Sequence, residues 1–178
     1  ILEALSSSYN LENIEIGGAW IGGTLMHGQV LGGAILNQRK LKRLAIRRPN
    51  WIETELLAFV DCLQSWDFSH SIEFSLIHTD ISVVVANALA RLIEKNMFTV
   101  LKLKDCILVE DTTTSLFSGV SKSTILKIFE MRGSIAMNKR DNLSTEKFLQ
   151  QCSNLESLEM ASSCIQSHSM QSVCMGVA

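Results

Sequence analysis

The same short apolar pattern occurs six times along this chain of 178 residues. Each copy contains a pair of apolar residues that flank a single intervening position, and in five of the six copies another apolar residue lies three positions before that pair. The last apolar residue of the copies falls at positions 16, 46, 76, 103, 131 and 160, which gives spacings of 30, 30, 27, 28 and 29 residues. Regular self-similarity of this kind is the sequence signature of a repeat architecture.

Each copy predicts a short β-strand, because its apolar residues alternate with other residues at period two. Ile14 and Ile16 then lie on one face and Glu15 on the other. The third copy departs from the pattern, since Ser71 occupies the first slot, and we expect the adjacent Ile72 to fill that space. The apolar residues of the copies are Leu11, Ile14, Ile16; Leu41, Leu44, Ile46; Phe74, Leu76; Phe98, Leu101, Leu103; Leu126, Phe129, Met131; and Leu155, Leu158, Met160.

The segments between these strands have helical spacing. Ser144 is a candidate N-cap, and Glu53 and Glu55 place negative charge in a first helical turn, where the helix dipole favours it. A strand and a helix every 27 to 30 residues predict an α/β solenoid of about six repeats, with a parallel inner sheet and outer helices. The apolar helix positions are Leu31, Ala34, Ile35; Leu56, Leu57, Val60, Leu63; Val85, Leu89, Leu92, Ile93; Leu116, Gly119, Val120; and Phe148, Leu149, Cys152.

The pattern resembles leucine-rich repeats of the ribonuclease-inhibitor type. The clearest copies are FTVLKLKDCIL at 98–108, with Cys106 in the slot that usually holds Asn or Cys, and NLESLEMASSCI at 154–165. The resemblance covers residues 11–165 and implies one leucine-rich-repeat domain over 1–178. Such repeats occur in NOD-like receptors, Ran GTPase-activating proteins and tropomodulins. The sequence departs from the family in the Asn or Cys slot, which reads Ala19, Pro49, Thr79, Cys106, Ser134 and Ser163.

Composition narrows the class of partner. Hydrophobic residues form 47% of the chain, enough for a continuous core, and 16 basic against 18 acidic residues give no overall attraction to nucleic acid or an anionic membrane. Five cysteines without close pairs predict a reducing compartment and a cytoplasmic location. The chain begins at Ile1 without an initiator Met or a signal peptide pattern, so we expect a fragment of a longer protein.

The strand register predicts which side chains face away from the core. Parallel stacking places Arg43 between Asn13 and Glu73, within reach of cross-strand pairing. The charges on this face alternate in sign, which favours a protein partner, because mixed signs set register and reject wrong partners. The predicted partner-binding residues are Glu15, Arg43, Arg47, Glu73, Lys102, Lys104, Glu130, Arg132 and Glu159; Asn13, Gly17, Ala45, Ser75, Ile77, Val100, Ile128, Ser157 and Ala161 share the face.

Two stretches suggest other functions. Six of the ten residues at 39–48 are basic, which is typical of a nuclear-import signal or a nucleic-acid patch, but stacking of the repeats also explains them, so we do not expect nucleic-acid binding. Residues 17–38 carry no charged side chain, but only ten of the 22 are apolar. We therefore predict a loop and a helix there, without membrane insertion, and no phosphate cradle, because no lysine follows the second glycine pair.

Metal and catalytic groups are sparse. Cys164, His168 and Cys174, with Cys152 as a fourth ligand, match no closed zinc motif, so we expect no metal and no cofactor. His78 is near Asp80, but no serine or cysteine stands in a nucleophile context, and we predict that the chain is not an enzyme.

The resulting prediction is a protein-interaction module. We expect a partner-sensing segment of a larger intracellular receptor or scaffold, such as the receptors of innate immunity, binding another protein through its concave sheet face. The resemblance leaves open a second role, as a GTPase-activating or inhibitor-like regulator of an enzyme. Nucleic-acid binding through 39–48 is the third alternative.

Overall fold

The computed structural model describes residues 5, 7–17, 27–49, 51–66, 70–109, 111–135, 148 and 150–162. This part of the chain is an α/β fold with one parallel sheet of seven strands and four helices. The elements are β1 (Asn13–Gly17), α1 (His27–Leu36), β2 (Arg43–Arg47), α2 (Glu53–Gln64), β3 (Ile72–Ile77), β4 (Asp80–Ile81), α3 (Val83–Glu94), β5 (Phe98–Leu108), α4 (Thr112–Lys122), β6 (Ile128–Ile135) and β7 (Ser157–Ser162).

The strands are arranged in the order of the chain. The sheet runs β1-β2-β3-β5-β6-β7, with the short β4 added beside β5, and every pair is parallel. Parallel neighbours need a crossover connection, and each of α1 to α4 lies between two successive long strands in the sequence. The prediction that strands about 29 residues apart lie side by side in order is confirmed.

The register places the repeated apolar residues in two layers. Leu44 pairs with Ile14 on one side and Phe74 on the other, and the same layer continues to Leu158, which confirms the predicted alignment of Leu44, Leu101 and Leu158. In the third copy Ile72 is buried and pairs with Phe98, and the register shifts between Ile72 and Glu73. The register shift lets Ile72 pair with Phe98, the first-slot residue of the next copy, although Ile72 is one position later than that slot in its own copy. The second layer is Ile16, Ile46, Leu76, Leu103, Met131 and Met160.

The four helices cover the apolar face of the sheet and pack on one another in order. Their inward positions follow the predicted spacing, for example Val85, Leu89 and Leu92 on α3. Ser82 caps α3, since its hydroxyl accepts a hydrogen bond from the Val85 amide at 3.3 Å. Glu55 lies in the first turn of α2, as predicted, and accepts a hydrogen bond from the Ile52 amide. Local capping and the apolar stripe therefore favour the same helix boundaries.

Six buried phenylalanines fill the space between sheet and helices. Phe74 stacks on Phe98 with ring centroids 5.1 Å apart, and Phe59 of α2 lies 6.5 Å from Phe74. A second group contains Phe117, Phe129 and Phe148. Both groups belong to one continuous hydrophobic cluster, in agreement with the predicted shared core.

The sheet also contains parts that the pattern did not predict. β4 is a seventh strand of two residues, and its Asp80 pairs with Ile107 at the far end of an 11-residue β5. His78 and Asp105 both have positive φ, and the register between β5 and β6 shifts after Leu103, so the chain bends before this extra pairing begins. Other predictions, namely Ala19, Ser144, Leu149 and Ser163, lie outside the described residues.

The thiol of Cys106 is enclosed by the sheet. It donates to the backbone oxygens of Leu76 and Lys104 at 3.5 and 3.4 Å, and burial raises its pKa to about 12 from the ordinary 9.0. The raised pKa means that the folded protein favours the protonated thiol over the thiolate. The protonated thiol therefore contributes to the stability of the fold below pH 9, and this contribution is lost as pH rises from 9 towards 12.

Cys106 should therefore resist alkylation in the folded protein. We expect iodoacetamide at pH 8 to modify the half-buried Cys62 well before Cys106, and Cys106 to react at a comparable rate only in urea. Peptide mapping by mass spectrometry over a time course measures both rates. Equal rates for the two thiols without urea would show that Cys106 is not enclosed as described.

Candidate functional site

The sheet face opposite the helices carries all nine residues predicted to bind a partner. We call it the open face, defined by the outward positions of β1, β2, β3, β5, β6 and β7. These positions form three rows across the sheet, and neighbouring strands are about 4.8 Å apart, so long side chains in one row reach one another. The rows are Asn13, Arg43, Glu73, Val100, Ile128, Ser157; then Glu15, Ala45, Ser75, Lys102, Glu130, Glu159; then Gly17, Arg47, Ile77, Lys104 and, beyond a shift in the β5–β6 register, Arg132 and Ala161.

Two arginines of β2 pair with acids on both neighbouring strands. Arg43 Nε donates to Glu73 Oε2 at 3.0 Å, which confirms the predicted cross-strand pairing. Arg47 extends the other way, with a nitrogen 3.2 Å from Glu15, and its side chain lies beside Gly17. Both pairs are exposed, so each contributes no more than about 1 kcal/mol to stability. Their main effect is to fix where the guanidinium groups lie.

Glu130 is the centre of the other half of the open face. Its side chain is only 8% exposed, and one carboxylate oxygen lies 2.8 Å from Arg132 Nε and 3.5 Å from Lys104 Nζ. Lys102 Nζ lies 4.0 Å from the other oxygen. The contacts of Arg132 and Lys104 with the first of these oxygens, Glu130 Oε1, are ion pairs, because neither donor is aligned with it for a hydrogen bond. Glu130 thus lies beneath three cations and holds them in place, and its own charge is not presented to solvent.

Arg132 has a second acid beside it. Its guanidinium lies 2.6 Å from Glu159 on β7 and donates a hydrogen bond to that carboxylate, which is the main reason that the pKa of Arg132 is raised. Lys102 and Lys104 make ion pairs within the described part of the chain with Glu130 alone. The two lysines are therefore the least neutralised cations of the face.

Further ion pairs border the open face where the chain enters the strands. Lys42 lies 2.9 Å from Glu12, and Lys127 lies 2.7 Å from Glu156. The hydrogen bond from Lys42 lowers the pKa of Glu12. The sequence contains a signal for these pairs that our prediction did not use. In each pair the opposite charges are 29 or 30 residues apart, and each residue lies one position before a strand.

The basic run at 39–48 does not form one continuous patch. Arg39 and Lys40 lie in the turn between α1 and β2, whereas Lys42, Arg43 and Arg47 each pair with an acid of an adjacent unit. This arrangement fits the prediction that stacking of the repeats explains the run.

The other candidate sites gain no support from the described residues. Cys164, His168 and Cys174 lie outside them, and within them there is no group of three or more His, Cys, Asp or Glu side chains that could hold a metal ion. His78, the histidine considered for catalysis because it is near Asp80 in the sequence, has its Nε2 3.6 Å from the carboxylate of Asp105.

The uncharged stretch at 17–38 contains the helix α1, which has ten residues. In the described ranges no helix has both the length and the apolar content to cross a membrane.

No protein-family model matches this chain, and no curated protein matches it significantly.

Removing the charge of Glu130 should destabilise the protein. Glutamine keeps the shape of the side chain but leaves three cations without their shared anion, so we expect Glu130→Gln to lower the free energy of unfolding by about 1–2 kcal/mol. Glu159→Gln is the matched control, because Glu159 is 46% exposed and its loss should cost less than about 0.5 kcal/mol. Urea denaturation followed by circular dichroism measures both; equal effects would contradict the central position of Glu130.

Proposed function

We propose that this chain is a leucine-rich-repeat module of the ribonuclease-inhibitor-like type that binds another protein through its open face. The observation that carries the proposal is the open face itself, on which charged residues from six strands lie in three aligned rows opposite a continuous core. Across the sheet these rows extend for about 24 Å, since five strand spacings separate β1 from β7. A surface of that extent suits a macromolecule better than a small ligand.

Three features support the choice of a leucine-rich-repeat solenoid. Three of the five repeat spacings, 27, 28 and 29 residues, fall in the range of about 20–29 expected for these units, and the other two exceed it by one residue. Parallel strands follow one another in chain order, with a helix between each pair of successive long strands from β1 to β6. Cys106, in the slot that usually holds Asn or Cys, donates to a backbone oxygen of the preceding unit at Leu76. A side chain in that slot that ties one unit to the next stabilises stacking between neighbours.

The charges of the open face favour a protein partner. Acids and bases alternate from β1 to β7, so a partner must present a complementary pattern in one register. In the wider proposal the module is a sensing segment of a cytoplasmic receptor or scaffold. Regulation of an enzyme stays a prediction, because no described residue of the face is distinguished as a blocking or catalytic group.

Selection of displayed peptides tests the proposed function. A random peptide library is panned against the immobilised protein, and the enriched peptides are measured for binding by fluorescence anisotropy. We expect them to lose roughly tenfold in affinity for Arg43→Glu/Arg47→Glu, which reverses two charges of the open face. The matched control, Arg39→Glu/Lys40→Glu, makes the same change of charge in the turn before β2 and should bind as the unaltered protein does.

Melting temperatures of both variants establish that they are folded, and we expect them to change little because the substituted residues are exposed. Peptides that bind both variants equally well would show that the open face is not the binding surface. Peptides that lose affinity only for the control variant would instead place the binding site in the turn at 39–40.

A further inference from the structure

Lys102 and Lys104 share a single carboxylate within the described part of the chain, so that part neutralises their positive charge only partly. Each ammonium lies 4.0 or 3.5 Å from an oxygen of the shared Glu130, whereas the arginines of the face have an acid within 3.2 Å. Their side chains are 32% and 36% exposed. An ammonium carries three N–H donors, so both lysines keep donors for a ligand from solvent.

The burial of Glu130 makes this charge accessible. Three cations surround Glu130, and Glu159 is the one other carboxylate paired with them in the described part of the chain. The two lysines therefore share one carboxylate, whereas Arg132 also has Glu159 beside it and Asp105 near enough to act on its charge. Because Glu130 lies beneath the lysines, it fixes their position without covering them, and an incoming carboxylate does not have to displace it.

The spacing of the two lysines matches an extended peptide. They are two residues apart on β5, so their Cα atoms are separated by about 6.6 Å along the strand, and alternate side chains of an extended peptide have the same separation. The adjacent positions on β3 are Ser75 and Ile77, both half-buried. Ser75 is small and leaves room beside Lys102, and Ile77 offers apolar contact beside Lys104.

We propose that Lys102 and Lys104 bind an acidic segment of a partner protein in extended conformation, with carboxylates at alternate positions. This inference rests on the proposed function, since it names the partner chemistry that part of the open face selects. Acids at Glu73 and Glu159 flank the lysines on both sides of the sheet. Both acids are already paired with arginines, so the accessible positive charge is confined to the two lysines, which favours two carboxylates over the many phosphates that a nucleic acid presents.

The test uses two labelled, end-capped heptapeptides of identical composition. One has glutamate at its second, fourth and sixth positions with serine and glycine elsewhere, and the other has glutamate at its first, fourth and seventh positions. Fluorescence anisotropy at low ionic strength gives Kd for each peptide. We expect the alternating peptide to bind the full chain several-fold tighter than the second peptide, because only the alternating peptide has two carboxylates on one face at the lysine spacing.

Variants then locate the site. Lys102→Gln/Lys104→Gln should weaken binding of the alternating peptide roughly tenfold, because two charge-assisted contacts are lost. Lys40→Gln/Lys95→Gln removes the same charge away from the open face and should leave Kd unchanged. Lys102→Arg/Lys104→Arg keeps both charges and should retain binding, and it guards against a loss that is only due to misfolding.

The outcomes separate this inference from the proposed function. Equal binding of the two heptapeptides, or no effect of Lys102→Gln/Lys104→Gln, would overturn the inference, while displayed peptides that depend on Arg43 and Arg47 would leave the proposed function standing. Failure of both experiments would overturn both proposals. A ten-nucleotide oligothymidylate that binds more tightly than the alternating peptide, and depends on the same lysines, would overturn the assignment to an acidic peptide.

Discussion

Replacing Phe74 with alanine should lower the free energy of unfolding by about 3–5 kcal/mol. The Phe74 ring is completely buried in the middle strand of the described repeats, between Leu44 and Leu101. It stacks on Phe98 and lies close to Phe59 of α2, so its removal leaves a cavity between sheet and helix. A domain of this size is typically stable by about 5–15 kcal/mol, so the variant should unfold at a much lower urea concentration.

The control for this prediction is Ile107→Ala. Ile107 is also a large apolar residue on a strand, but it is 51% exposed, and its truncation should cost less than about 0.5 kcal/mol. Urea titrations followed by circular dichroism give both values. A loss below about 1 kcal/mol for Phe74→Ala would mean that this ring is not part of a packed interior.

A methyl group added at Gly119 should destabilise the protein, whereas the same change at Gly33 should stabilise it. A Cβ at Gly119 of α4 would lie 2.7 Å from the Cα and 2.8 Å from the carbonyl oxygen of Ala90 on α3, so the two helices would have to move apart. We expect Gly119→Ala to cost about 1–3 kcal/mol. At Gly33 of α1 a Cβ meets nothing within 4 Å, and Gly33→Ala should gain about 0.5–1 kcal/mol from helix propensity.

The essential result is that the two substitutions change the stability of the protein in opposite directions, because they are chemically identical and both lie inside helices. Thermal unfolding of the two variants beside the unaltered protein measures them. If both raised the melting temperature, α3 and α4 would not be in the close contact described, and the stacking of successive units would need another explanation.

The apolar period of the sequence was sufficient to predict the strand order, the register and the two apolar layers. Ile16, Ile46 and Leu76 recur at 30-residue intervals, and parallel stacking in chain order buries all three in one layer. It was not sufficient for β4, since the two residues Asp80 and Ile81 are too few to show a period. Their pairing depends on the bend at His78 and Asp105, which both have positive φ.

The candidate site was predicted in part. The register alone brings Arg43 next to Glu73, because direct neighbours in a parallel sheet follow from the repeat spacing. The burial of Glu130 could not be predicted in this way. It depends on the directions of three long side chains, Lys102, Lys104 and Arg132, that converge from two strands over one carboxylate. Side-chain conformations of this kind leave no signal in a repeat pattern.

Distances between spin labels on the open face test the central claim, that the repeated strands lie side by side in chain order. Labels attached at Glu15→Cys and Glu159→Cys are separated by five strand spacings and should give about 24 Å, whereas Ser75→Cys with Glu159→Cys should give about 14 Å. Double electron–electron resonance measures both pairs, with the native cysteines replaced by serine. Two equal distances, or a longer distance from Ser75 than from Glu15, would contradict the ordered sheet.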